Sequence, residues 1–310
     1  MKMFDKLLEQ VRGESPQRIA VAAAHDKRVL EAVFNAKERG VGIPILVGKE
    51  DKIRQYTDEL GIDLQDTTVI DEPNHMQAAL YASNMVRQGE ADLLMKGILH
   101  TAEIMRAVLN REKGLRQGNV ISHTAILEIE GLDRLLFVTD AGMVIDPSLD
   151  QKIEIILNAS IIAKALGIEM PKVAVLSALE IVNPNMPSSL DGSTLTQMNR
   201  RGQIEGCIVD GPLALDTAVS VERASHKDVK GSEVAGVADI LLVPNIETGN
   251  AIYKAATTFA NFRSAGVILG AKVPIILPSR ADTAESKFLS IVVASRVATY
   301  LAEQREKNKR

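Results

Sequence analysis

Tryptophan is absent from the 310 residues, and aromatic side chains make up only 3% of them. Proteins that hold single strands or flipped bases stack them on aromatic rings, so this composition argues against that mode of nucleic-acid binding. Cysteine occurs once, at Cys207. A single thiol closes no internal disulfide and builds no thiolate metal cluster, which fits a reducing compartment. No stretch approaches the ~20 uninterrupted apolar residues that a membrane span requires. The start of the chain, Met1-Lys2-Met3-Phe4-Asp5-Lys6, puts charges where a signal peptide needs its apolar core. A cytoplasmic protein without membrane association is expected. Positive charge is not in excess either: 36 Lys and Arg stand against 40 Asp and Glu, a net charge of −4. No global field then invites nucleic acid or an anionic bilayer, and a ligand carrying several phosphates must be held by a local cluster of cations.

What is present is ordinary for a globular enzyme, with 46% hydrophobic and 25% charged residues. The length allows two α/β domains or one large one. Short apolar runs at 18–23, 44–47, 67–70, 92–95, 135–139, 172–176, 206–210, 239–243, 266–269 and 274–277 read as strands. Most are continuous rather than alternating, as in strands covered on both faces. Helical patterns follow most of them; in 149–166, Ile153, Ile156, Leu157 and Ile161 share one face. Such alternation predicts mainly parallel sheets with right-handed crossovers. No internal repeat or low-complexity linker marks a boundary, and periodicity leaves one sheet or two open.

In parallel α/β sheets, ligands gather where strands end and helices begin, so the residues after each strand carry the search. Lys96 and Gly97 end one strand, and Thr101 can cap a following helix that carries Arg106. Free amides at a helix start with a nearby cation suit phosphate; a capped helix with a solvated Arg reads equally well, and His100 reads as structural. After 273–277 come Ser279 and Arg280, a hydroxyl and a guanidinium that forks onto phosphate oxygens. Asp282 and Glu285 read there as a capping box for the last helix. Thr139 and Asp140 end another strand, and Asp140 followed by Gly142 suits a metal, a ribose or a proton; Asp146 and Pro147 start the next helix. Asp210, in Asp210-Gly211-Pro212, repeats the strand-then-acid theme but is also common turn chemistry. Thr248-Gly249-Asn250 allows a close backbone approach to a ligand, or is plain punctuation before a helix.

Several motifs are missing. There is no Gly-x-x-x-x-Gly-Lys-Ser/Thr loop, no strand-linked Gly-x-Gly-x-x-Gly, no Gly-x-Ser-x-Gly elbow, and five scattered histidines give no zinc spacing. Cys207 lies in an apolar run, where a thiol is inert filler.

Together, Lys96-Gly97 through Arg106, Phe137-Val138-Thr139-Asp140, Cys207 through Asp216, Ala238 through Pro244 and Pro278-Ser279-Arg280-Ala281-Asp282 resemble the phosphate acetyltransferase/phosphate butyryltransferase family, along most of the chain. The Lys96-Gly97 and Asp210-Gly211-Pro212-Leu213-Ala214-Leu215-Asp216 forms are similar to the butyryl branch. The resemblance implies two α/β/α domains with mainly parallel sheets and an interdomain cleft, as in isocitrate and isopropylmalate dehydrogenases. The first would comprise 1–128 plus 257–310 and the second 129–256, with no hydratase domain attached.

It further implies reversible acyl transfer between a butyryl or branched short-chain acyl-CoA and inorganic phosphate, with coenzyme A as substrate and no tightly bound cofactor or metal. A homodimer or higher homo-oligomer is implied as well. Ser279, Arg280 and Arg106 would be catalytic. Lys96, Gly97, His100, Thr101, Thr139, Asp140, Asp210 and Asn250 would bind substrate. The acetyl branch places an Asp base where this chain has Ser286, and an Arg where it has Thr257, so Asp282 and Glu285 are the nearest local acids for a base. Met95, Ile98, Leu99 and Met143 are candidates for an apolar acyl pocket. The alternatives are phosphate acetyltransferase activity, or a metal- and NAD-dependent decarboxylating dehydrogenase of the related fold, for which only Asp140 and Asp210 offer metal ligands.

Overall fold

A computed structural model of the protein describes residues 2–110, 114–117 and 120–308. The chain divides into two units, Met1–Asn119 with Ser264–Arg310, and Val120–Arg263. In the first, α1 (Met3–Arg12), β1 (Gln17–Ala22), α2 (Lys27–Glu38), β2 (Gly42–Gly48), α3 (Glu50–Leu60), β3 (Thr68–Asp71), α4 (His75–Gln88), β4 (Leu93–Lys96) and α5 (Thr101–Val108) follow one another. The second holds β5 (Ser122–Ile129), β6 (Leu136–Thr139), α6 (Leu149–Ala165), β7 (Lys172–Leu176), α7 (Pro187–Arg200), β8 (Ile208–Leu213), α8 (Leu215–Val219), α9 (Val221–His226), β9 (Ile240–Leu242) and α10 (Ile246–Phe259). The chain re-enters the first unit within β10 (Phe262–Leu269) and completes it with β11 (Ile275–Ile276) and α11 (Ala284–Lys307).

In the first unit the strands run in the order β3-β2-β1-β4-β11-β10, all parallel except that β10 runs against β11. Ile19, Val21, Leu93, Leu94, Met95, Ile275 and Ile276 are buried within it, as continuous apolar runs demand. Helix α11 adds Ile291, Val292 and Val293 to this core, and α2 adds Leu30 and Val33. Strand-to-helix turns use the expected chemistry. Asp26 caps α2 by accepting from the Val29 amide at 3.0 Å, and Gly61 and Gly89 end α3 and α4 in the left-handed conformation.

In the second unit the order is β5-β6-β9-β7-β8, with β5 antiparallel to β6 and the rest parallel. Ser148 and Gln151 form a capping box at the start of α6, so the helix begins two residues beyond the expected Asp146-Pro147 start. Arg134 ties three segments together through the carbonyls of Ala238 (2.9 Å), Val219 (3.0 Å) and Gly236 (3.2 Å).

All ten apolar runs read as strands are strands. The sequence reading omitted β5, whose His123, Thr124 and Glu128 interrupt the apolar signal. Inside the fold those groups have reasons to be there: Glu128 pairs with Arg263 at 3.2 Å, with both side chains largely buried.

Candidate active site

Strands β1, β4 and β11 are neighbours and parallel, so their C-terminal residues Ala22, Lys96 and Ile276 lie at the same end of the sheet. The strand order reverses between β1 and β4, since β2 lies on one side of β1 and β4 on the other. That is the switch point at which α/β sheets open a crevice. Gly97 makes the crevice tight. Its amide donates to the Ala22 carbonyl at 2.8 Å, and a Cβ there would stand 2.0 Å from the Ala23 oxygen. No other residue lets the chain after β4 lie so close to the loop after β1.

A recess at this point is lined by Lys96, Gly97 and Ile98 after β4, Ser279 and Arg280 after β11, Asp26 at the cap of α2 and Lys287 from the first turn of α11. Lys96 is 4% exposed, and among the described residues its Nζ donates to the carbonyls of Gly97 and Leu99 alone, both at 3.4 Å. Burial pushes its ammonium down to about 8, and the charges of Lys287 and Arg280 push the same way. Lys287 is 3% exposed; its Nζ donates to the carbonyls of Ser279 at 2.8 Å and Asp282 at 3.0 Å, and burial lowers it too. Neither ammonium has an ion-pair partner among the described residues. Two buried, unpaired cations are costly, and a bound anion would offset that cost.

The loop before α11 is built on its own main chain. The carboxylate of Asp282 accepts from the Ser279 amide at 2.7 Å, and Ser279 Oγ accepts from the Ala281 amide at 3.3 Å. Thr283, not Asp282, caps α11, accepting from the Ser286 amide at 3.1 Å. The expected Asp282/Glu285 capping box is therefore replaced: the Asp282 carboxylate is taken up by the Ser279 amide, and Thr283 one position later caps the helix. Arg28 donates to the Arg280 carbonyl at 3.3 Å, and the exposed Arg280 guanidinium makes no hydrogen bond or ion pair among the described residues.

His100, not Thr101, is the N-cap of α5, with the Glu103 carboxylate accepting from the His100 amide at 2.7 Å. Thr101 is the first helical residue, so its hydroxyl is not the cap. Arg106 is exposed on this helix, without a partner among the described residues. Lys96, Gly97, Ser279 and Arg280 thus share one recess, while His100, Thr101 and Arg106 stand outside its lining. Met95 and Leu99 are fully buried in the core, so of that group Ile98 alone reaches the recess.

In the second unit, Asp140 is 2% exposed after a cis Thr139–Asp140 peptide. Its carboxylate accepts from four amides: Gly142 at 2.7 Å, Met143 at 2.9 Å, and His123 and Val144 at 3.2 Å. What Asp140 does in this structure is hold the turn that follows β6, rather than present its oxygens to a metal, a ribose or a proton. Thr139 Oγ1 likewise donates inward, to the His123 carbonyl at 3.0 Å. Gly249 allows a close approach of protein to protein: a Cβ there would stand 2.5 Å from the Asp140 carbonyl oxygen. Asn250 is exposed on α10, and Asp210 is half-buried in β8. Among the described residues no group of three His, Cys, Asp or Glu side chains is placed to hold a metal. Cys207 is buried just before β8, where desolvation pushes its thiol up. No described helix is long and apolar enough to cross a membrane.

A sequence model of the phosphate acetyl/butaryl transferase family matches residues 2–79 and 70–295. The chain belongs to this family. It is similar to the phosphate butyryltransferase of Clostridium acetobutylicum, 48% identical over 96% of this chain and 99% of the relative. The phosphate acetyltransferase of Thermotoga maritima is 44% identical, over 94% of this chain and 98% of the relative. A crystal structure of a branched-chain phosphotransacylase from Enterococcus faecalis superposes with a TM-score of 0.79 at 33% identity, covering 91% of this chain and 99% of that one. Like those relatives, this member of the family is an acyltransferase. Ser286, where the resemblance to the acetyl branch implies an Asp base, lies 3.2 Å from the hydroxyls of both Ser264 and Thr283. A hydroxyl held among hydroxyls is no substitute for a carboxylate base.

Sequence reasoning missed Lys287, Asp26 and Arg28 as parts of this site. Lys287 leads the apolar run Phe288-Leu289, and a Lys at the head of a buried stretch is the signal that was available.

Proposed function

We propose that the recess after β4 and β11 binds inorganic phosphate and the acyl phosphate, and that the acyl group exchanged with coenzyme A is butyryl or a branched short chain. The observation that carries this reading is the pair of buried ammoniums, Lys96 and Lys287, without an ion-pair partner among the described residues, beside the guanidinium of Arg280 and the hydroxyl of Ser279. Phosphate carries about two negative charges near neutral pH. Setting it against a thioester carbonyl needs cations fixed before the reaction begins. Arg280 offers two parallel donors to phosphate oxygens, and Arg106 supplies a second guanidinium from α5. The Ser279 hydroxyl donates to the oxygen that becomes negative in the tetrahedral intermediate. The remainder is proximity, with both substrates held together and no acyl-enzyme formed. The buried Cys207, with its raised thiol, is not a nucleophile in this scheme.

The test is thioester absorbance on adding phosphate, over acetyl-, propionyl-, butyryl- and isovaleryl-CoA. Each buried methylene gains at most ~0.8 kcal/mol, roughly fourfold, so butyryl should exceed acetyl by no more than about tenfold. Phosphate-independent thioester loss would sink the reaction. Acetyl-CoA as best substrate would sink the chain-length assignment alone and favour the activity named for the Thermotoga maritima relative.

A further inference from the structure

Acyl exchange must move a proton as well as an acyl group, and the residue expected for that task in the acetyl branch is Ser286 here. One carboxylate, Asp26, lines the recess and a second, Asp282, stands in the adjoining loop, and both are engaged elsewhere. Asp282 is turned onto the Ser279 amide at 2.7 Å, and Asp26 caps α2 through the Val29 amide at 3.0 Å. Of the two buried amines, Lys287 is committed to two short bonds to carbonyls, at 2.8 and 3.0 Å. Lys96 is not: among the described residues its ammonium has two long hydrogen bonds at 3.4 Å, and it lines the same recess as Ser279 and Arg280.

We propose that Lys96 is the proton carrier of the reaction, its ammonium protonating the thiolate as it leaves and its neutral amine taking the proton from the thiol in reverse. The assignment rests on the acyl-transfer reading above. Written out, hydrogen phosphate attacks the thioester carbonyl, a C–O bond forms and the C–S bond breaks with its electron pair going to sulfur. The Lys96 ammonium passes its proton to that sulfur. The acyl phosphate so formed still carries one proton on its phosphoryl group, which returns to the neutral amine. The net result is that the phosphate proton ends on the thiol.

The charges around Lys96 suit this task. Lys287 from α11 and Arg280 from the loop after β11 disfavour its ammonium, while Asp282 from that loop and Asp26 from the cap of α2 favour it, and burial decides the balance. An amine brought to about 8 lies near the ~8.5 of an ordinary thiol, so the proton can pass either way without a large uphill step.

The experiment uses the full chain in the direction from acyl-CoA and phosphate, in which neither substrate needs to lose a proton beforehand. Wild-type kcat should fall as pH rises through the region of 8 and above, because the proton donor is lost. Lys96→Ala should lose on the order of 100-fold in kcat, beyond the rise in KM for phosphate that follows from removing one of the recess cations. Methylamine or ethylamine should restore turnover to this variant, with an efficiency that follows the pKa of the added amine. Lys96→Arg, which stays protonated, should lose the alkaline fall. A folded Lys96→Ala with near wild-type kcat, or one that no amine restores, overturns the proposal. So does an alkaline fall that Lys96→Arg leaves in place, which covers the case in which the Ala variant does not fold. If the wild type itself shows no phosphate-dependent thioester loss, the acyl-transfer reading fails; if it turns over and these variants behave like it, only the role of Lys96 fails.

Discussion

The ammonium of Lys287 donates to the carbonyl of Ser279 at 2.8 Å, so a buried cation in the first turn of the last helix holds the loop that carries the Ser279 hydroxyl. Lys287→Met keeps the apolar volume and removes that tether together with the bond to Asp282. Because a buried charge is lost, thermal stability should stay level or rise. Meanwhile kcat/KM for phosphate should fall at least about tenfold. Removing this neighbour should also move the alkaline fall in kcat to higher pH, since one of the cations that depress Lys96 is gone. Full activity in a folded variant would show that the loop needs no such tether.

Arg280→Ala and Arg106→Ala should each cost ~2–4 kcal/mol of transition-state stabilisation, at least about 30-fold in kcat/KM. Steady-state kinetics with phosphate as the varied substrate makes the comparison. Arg106, outside the recess lining, is the more exposed of the two assignments to refutation. Activity within threefold of wild type removes either residue from the site.

Far from the chemistry, Arg18 grips Asp92 through its amide and Nε, both at 2.9 Å, and through Nη2 at 2.7 Å. Burial alone would raise the Asp92 carboxyl, but the Arg18 hydrogen bonds outweigh it and the net shift is downward. A depressed carboxyl contributes stability that is present above its ordinary value and lost as pH falls through the depressed one. Urea unfolding of Asp92→Asn should therefore show ~1–2 kcal/mol less stability than wild type at pH 7, with the gap closing towards pH 3. A gap that stays constant with pH would mean that the pair contributes by packing rather than by charge.

Cys207→Ala should retain turnover within twofold and lose about 1 kcal/mol of stability, because it removes a buried sulfur beside β8. Abolished turnover in a normally folded variant would bring back an acyl-cysteine intermediate.

Much of this architecture was legible because parallel strands buried on both faces are written as unbroken apolar runs, and the polar residues searched for sit directly after them. Lys96, Gly97, Ser279 and Arg280, which line one recess, were picked out in that way. β5 was not, since an antiparallel strand with His123, Thr124 and Glu128 in it lacks the unbroken run. Nor could Asp140 be understood from sequence. Its four partners are main-chain amides, which every residue possesses and no letter code distinguishes. The cap of α5 fell at His100 and that of α11 at Thr283 because capping depends on dihedral angles that neighbouring residues share out between them.

The recess takes Lys96 from the early part of the chain and Ser279, Arg280 and Lys287 from beyond the second unit. On the ribosome, this order of assembly matters. A nascent chain that has emerged only as far as residue 263 already contains the whole of Val120–Arg263, yet β4 still lacks the neighbour β11 and the cover of α11. Half-built sheets with open apolar flanks are what chaperones recognise. The recess is therefore among the last parts of the molecule to be completed, and a translation product that stops short of β11 lacks Ser279, Arg280 and Lys287 of its lining.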